Sequence, residues 1–124
     1  MKDCASKELT KEGYKVFYEP AFAPSMFMNW ASYRPDLLGI NATQDRQEYA
    51  LVECETSPST KRLASKNFRT VEVQLRLNSA YSLRRLLVVP WGKLRRLDAS
   101  VRYSWETWIY DGTGFQRIPM AVSP

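Results

Sequence analysis

The chain has 124 residues, 44% hydrophobic and 25% charged, which describes one ordinary folded domain and excludes a disordered chain or a stapled mini-protein. Lys and Arg total 18 against 13 Asp and Glu, a net charge of +5, with a pI of about 9.4; this favours polyanionic partners, nucleic acid before anionic membrane. Histidine is absent, which excludes Ser-His-Asp and Cys-His nucleophile systems and every His-ligated metal.

Residues 3 to 12 alternate Lys, Glu and small side chains, with Ala5 and Leu9 four apart. This predicts a short helix, and Gly13 stands where a helix C-terminus wants a left-handed residue. Tyr14 to Tyr18 is a first strand. Pro20 to Tyr33 holds Phe22, Met26, Phe27, Met28 and Trp30 without a clear period. It reads as an irregular apolar loop, packed against the body or used to touch a partner.

Leu37 to Asn41 is the second strand, Ala42 to Gln47 a turn, and Glu48 to Glu55 the third strand, so the two strands form a hairpin. Thr56-Ser57-Pro58-Ser59 is a cap signal, with Ser57 as N-cap. A long helix is predicted from there to about Ala80. Ala64, Phe68, Val71 and Leu75 share its apolar face, and Arg62, Lys66, Arg69 and Arg76 fall roughly opposite. Such a basic stripe is either a solvated face or a contact to backbone phosphates.

Leu86 to Val89 is a short buried strand, ended by Pro90-Trp91-Gly92. Lys93, Arg95 and Arg96 lie in a polar connection or short helix to about Arg102. Trp105 to Tyr110 alternates as a strand, and Asp111-Gly112-Thr113-Gly114 turns it. Phe115 to Met120, which carries Pro119, is a last edge strand. Helices flanking a mixed sheet make a three-layer α/β or α+β domain. The strand at Leu86, reached from the third strand through a long helix, should run parallel to it.

Two cysteines, Cys4 and Cys54, make neither a disulfide framework nor a zinc site, and Cys54 reads as a small buried hydrophobe. No apolar run approaches the ~20 residues of a membrane span. The start, Met1-Lys2-Asp3-Cys4, is not a signal peptide. The expectation is a cytoplasmic protein.

The stretch from Arg34 to Glu55 carries acid where strands should carry apolar side chains. Burying an unpaired carboxylate is expensive, so Asp36, Glu53 and Glu55 need a reason. Glu53 and Glu55 are two apart and share a face of the third strand. An antiparallel hairpin brings Asp36, at the start of the second strand, beside the end of the third. The three carboxyls can then converge, as oxygen ligands that suit Mg²⁺ or Mn²⁺. A metal held there can activate a water against a scissile phosphate. The competing structural reading makes Glu55 the exposed end of a strand and pairs Glu53 with an arginine.

The order helix, strand, strand with Pro35-Asp36, strand with Glu53-Cys54-Glu55, helix, strand resembles the PD-(D/E)xK nuclease superfamily over roughly residues 3 to 90. The opening from Leu9 to Tyr18, a helix running through Gly-Tyr into a strand, is similar to its resolvase-like members. The resemblance implies a restriction-endonuclease-like three-layer domain with a mixed central sheet of order αβββαβ, followed here by a strand or two. It implies a metal-dependent DNA endonuclease in which Asp36 and Glu53 ligate Mg²⁺ or Mn²⁺ and the backbone carbonyl of Cys54 adds a ligand. The family's third element is a lysine, and this chain has Glu55 there. Glu55 then serves as a base or second metal ligand, or Lys61 or Lys66 on the following helix replaces the lysine, or the site is inactive. Glu8 or Glu12 of the first helix would complete the site, with Gln74 as a further polar neighbour.

The basic residues concentrate after the acids: Lys61, Arg62, Lys66, Arg69, Arg76, Arg84, Arg85, Lys93, Arg95, Arg96 and Arg102. Positive surface holds phosphates beside a negative metal site. Arg34, Arg62, Lys66 and Arg69 are the expected DNA contacts, and Trp30 and Tyr33 reach a groove or stack on bases, or else close the end of the sheet. The expected substrate is duplex or branched DNA. The resemblance also implies a homodimer, through the apolar loop or the last strand. The alternatives are an inactive nucleic-acid-binding module of the same fold, and a protein-interaction module using the apolar loop.

Overall fold

The computed structural model of the protein describes residues 1–18, 35–42, 47–59, 63, 81–96 and 101–121. Six strands form one sheet: β1 (Lys15–Tyr18), β2 (Leu37–Ala42), β3 (Gln47–Cys54), β4 (Tyr81–Pro90), β5 (Glu106–Tyr110) and β6 (Phe115–Ile118). They lie side by side in chain order. The first three make an antiparallel meander, with Leu37 opposite Val52 and Lys15 opposite Ile40. β4 is parallel to β3 and β5 is parallel to β4, while β6 returns antiparallel. The chain is therefore α/β with a mixed sheet, and the expected parallel partnership of the third and fourth strands is present.

Two-residue alternation sorts β3 between two cores. Tyr49 and Leu51 pack with Leu38, Leu87 and Val89 on one face. Ala50 and Val52 pack with Leu37, Leu86, Val88 and Trp108 on the other. Helix α1 (Lys2–Lys11) covers that second face with Ala5 and Leu9. The first face is closed by Leu63, by Val101 at the start of the short helix α2 (Val101–Ser104) and by Trp105 just after it. Each large apolar side chain fully buried this way stabilises the fold by roughly 1.5–3 kcal/mol.

Local chemistry sets the joints. Gly13 ends α1 with φ of 97°, a conformation that glycine adopts without steric penalty. The β5–β6 connection is held by Asp111, whose Oδ1 accepts the N–H groups of Thr113 and Gly114, each at 2.8 Å. Those bonds hold its carboxyl below the usual carboxylate range. Gly39 on β2 lies against the Tyr14 ring, where a Cβ would come within 3.0 Å of Cδ1.

β4 starts at Tyr81 rather than Leu86. The sequence expectation stops at the arginines because charged residues are poor interior strand formers. Arg84 is accommodated by partners distant in sequence. Its Nε and Nη2 donate to the two carboxylate oxygens of Glu106 at 3.0 and 2.6 Å, and Nη1 donates to the Tyr14 hydroxyl at 3.3 Å. Its guanidinium also lies over the rings of Tyr14 and Trp108. Burial opposes its charge, but the Glu106 and Tyr14 hydrogen bonds outweigh that and raise its pKa above the ordinary arginine value. Among the described residues, no helix is long and apolar enough to cross a membrane.

Candidate functional site

β3 is a central strand, bonded to β2 on one side and β4 on the other. Its last residues carry the acids into the interior. Glu53 follows Leu51 at two-residue spacing and is 1% exposed. Glu55, one residue beyond the strand, is 5% exposed, and its N–H donates to the Val88 carbonyl at 2.9 Å. Glu55 is thus buried rather than the exposed strand end of the structural alternative.

Asp36 sits at a bend immediately before β2. Leu37 faces Val52, so the antiparallel register continues Asp36 towards Glu53. The Cys54 N–H donates to Asp36 Oδ2 at 2.8 Å. This brings Asp36 and the Glu53–Cys54 step together at one end of the sheet, as the hairpin predicts. Electrostatics report the same closeness: burial, then the Asp36 charge, and further the Glu53 charge against an opposing Lys2, push the Cys54 thiol up to about 12. A thiol so disfavoured as thiolate is inert. Cys54 acts here through its backbone, and its side chain is half-buried against the second core rather than fully buried.

The geometry separates other candidates. Glu8 lies on α1, which packs over the Val52 face rather than the Leu51 face to which Glu53 belongs by alternation. Its carboxylate pairs with Arg117 at 3.1 Å and Lys11 at 3.3 Å. Glu12 pairs with Arg117 at 2.8 Å and Arg84 at 3.8 Å. Both acids clamp α1 to the sheet. Arg84, one of the basic residues that concentrate after the acids, belongs to the same clamp. Arg34, Lys61, Arg62, Lys66, Arg69, Gln74, Arg76, the apolar stretch from Pro20 to Tyr33 and the expected long helix from residue 60 onward, except Leu63, lie outside the described residues.

Among the described residues, no three Cys, Asp or Glu side chains are grouped as a metal cage would need. Glu55 leaves the strand before the Thr56–Ser57 bend, and Asp36 and Glu53 are the pair that the β2–β3 register carries towards each other. A pair is still chemically sufficient for one hard cation. Mg²⁺ is commonly held by one or two carboxylates, with waters and substrate phosphates filling the remaining positions.

The C-terminal ends of β3, β4 and β5 point the same way, and the start of β2 joins them. In open α/β sheets this end is where ligands bind. Trp91 also stands here, in the turn after β4 and 74% exposed. Sequence reasoning uses Trp91 only as part of a strand terminator. The signal that could have found it is an aromatic residue held in a Pro-x-Gly turn and followed by Lys93 and Arg95. Comparison of the chain with family models, curated proteins and solved structures gives no match.

Proposed function

We propose that the chain is a metal-dependent DNA endonuclease that hydrolyses phosphodiester bonds on a restriction-endonuclease-like three-layer domain. The observation that carries this reading is the Asp36–Cys54 contact at 2.8 Å, which sets a carboxylate beside the buried Glu53 at the strand end. The antiparallel meander followed by a strand parallel to β3 supports the αβββαβ order.

Asp36 and Glu53 would hold Mg²⁺ or Mn²⁺, with the Cys54 carbonyl as a further oxygen donor. Bound there, the cation supplies an acidified water and charge neutralisation at the scissile phosphate. Glu55 orients the attacking water and accepts its proton, the task a lysine shares in the resembling family; Lys61 and Lys66 are the alternative donors on the following segment. Arg34, Arg62, Lys66 and Arg69 hold phosphates. The reading goes with a cytoplasmic protein acting as a homodimer on duplex or branched DNA.

A second reading, an inactive DNA-binding module, is favoured by one specific feature. Asp36 Oδ2 already serves the chain as acceptor for a backbone N–H, a structural duty that survives without metal. The deciding experiment is a cleavage assay with Mg²⁺ and with Mn²⁺ on duplex, branched and single-stranded DNA, run beside Asp36→Ala and Glu53→Ala. Cleavage lost in both variants supports the nuclease. Intact DNA with salt-sensitive binding supports the module.

A further inference from the structure

Most exposed aromatic side chains of a small domain are incidental, but Trp91 combines three independent features. First, it is 74% exposed, while Trp105 and Trp108 are buried at 3% and 0%. Leaving so large an apolar ring in water is unfavourable unless something covers it. Second, its backbone is fixed rather than loose. The Trp91 N–H donates to the Tyr110 carbonyl at 2.8 Å, and the Lys93 N–H closes the turn on the Pro90 carbonyl at 3.2 Å. Gly92 takes the left-handed conformation, with φ of 83°, that such a tight turn requires. A ring on a fixed turn loses little entropy when a partner covers it.

Third, its place is specific. Val88 lies beside Cys54 in the parallel register, so Val89 is level with Glu55, and Trp91 follows two residues later in the turn that ends β4. The nearest cations in sequence are Lys93 and Arg95. Arg95 is exposed and Lys93 is half-buried. Among the described residues neither joins an ion pair of the kind that commits Arg84 and Arg117 to α1. An exposed π-face on a turn, with two cations within the next four residues of the chain, matches an unpaired base with its adjoining phosphates, because every base offers a stacking face and every phosphate a charge.

We infer that Trp91 is a stacking platform for an unpaired base of single-stranded DNA, with Lys93 and Arg95 holding the adjoining phosphates, next to the Asp36–Glu53 end of the sheet. This rests on the nucleic-acid reading above and deepens it. The preferred substrate carries a single-stranded segment, as at a junction, flap or overhang, instead of being a continuous duplex.

The test measures binding with divalent metal chelated, so that it is independent of cleavage. The full chain is titrated with oligothymidylate and with a duplex of equal length, following tryptophan emission and anisotropy. The wild type should bind oligothymidylate with quenching. Trp91→Ala should lose that quenching and bind at least about five-fold more weakly, the lower end for one stacked base, with duplex binding little changed. Trp91→Phe, which keeps a smaller ring, should fall between. Joint replacement of Lys93 and Arg95 by Ala should lower the slope of log affinity against log salt by about one or two. The inference is overturned if Trp91→Ala binds oligothymidylate like the wild type, if duplex binding falls equally, or if Trp91 emission responds only to phosphatidylserine vesicles. A protein that binds through Trp91 yet never cuts with Mg²⁺ or Mn²⁺ removes the nuclease reading and leaves this one standing. A protein that cuts through Asp36 with Trp91→Ala unaffected on single strands does the reverse.

Discussion

Asp36 Oδ2 accepts the Cys54 N–H at 2.8 Å, so one carboxylate serves both the β2–β3 joint and the proposed chemistry. Two substitutions separate these duties. Asp36→Ala removes acceptor and charge and should destabilise the fold by about 1–3 kcal/mol. Asp36→Asn keeps an acceptor oxygen and should cost clearly less in urea unfolding. Both should abolish metal-dependent cleavage. Cleavage by Asp36→Asn at the wild-type rate would show that the charge has no part in the chemistry.

Glu53 and Glu55 are both buried but should respond differently. Glu53→Gln removes a proposed metal ligand and should leave no measurable cleavage at any Mg²⁺ concentration. Glu55→Gln removes only a proton acceptor and should slow cleavage by about 10²–10⁴-fold, with the metal dependence retained. Single-turnover rates across a Mg²⁺ series distinguish the two. Identical behaviour of the variants would count against separate roles.

Cys54 makes a prediction about pH. Its thiol is pushed up to about 12 from an ordinary 9.0, so the folded state favours the neutral form. The sign follows: this contribution to stability is complete below about pH 9, and it declines as pH rises towards about 12. Urea midpoints at about pH 8 and about pH 10 should therefore fall more for the wild type than for Cys54→Ala. At the lower pH, iodoacetamide labelling read by mass spectrometry should leave Cys54 unmodified.

Arg84 and Glu106 form a two-pronged pair whose side chains are 26% and 23% exposed. Such a pair is partly screened, so it falls below the ~3–5 kcal/mol lost on breaking a fully buried one. Arg84→Ala should destabilise by about 2 kcal/mol, including the lost stacking on Tyr14 and Trp108. A double-mutant cycle with Glu106→Ala should give a favourable coupling. Unchanged DNA affinity in the folded Arg84→Ala protein is also expected, because this arginine is spent on the fold; a lowered salt slope would contradict that assignment.

A Cβ at Gly39 would meet the Tyr14 ring at 3.0 Å, so the ring would have to give by a few tenths of an ångström. Gly39→Ala should destabilise by about 1–3 kcal/mol, the usual result of overpacking. Pairing it with Tyr14→Leu should relieve part of the loss, read again from urea midpoints.

The β2–β3 hairpin was legible because Leu37–Ile40 and Tyr49–Val52 are apolar runs separated by polar residues, and the hairpin alone puts Asp36 beside Glu53. The parallel β4 was legible from Leu86–Val89, but its start was not. Arg84 looks like surface until Glu106, 22 residues later, is known to lie on the next strand. Which face α1 covers was equally invisible, since Ala5 and Leu9 fit either side of a sheet. That choice decides that Glu8 and Glu12 join Arg117 and not Glu53. The burial of Glu55 was hidden for a related reason: its position depends on how far β4 extends alongside β3.

β3 and β4 lie in the middle of the sheet, with β1 and β6 at its edges. Fraying starts at edges, and central strands open only with the whole domain. The Cys54 and Glu55 amides, bonded to Asp36 and Val88, therefore belong among the slowest to exchange with deuterium. The acids at this strand end are tied to global unfolding rather than to local breathing, so heating should remove the chemistry in a single step with the fold, with no earlier loss from a loosened site.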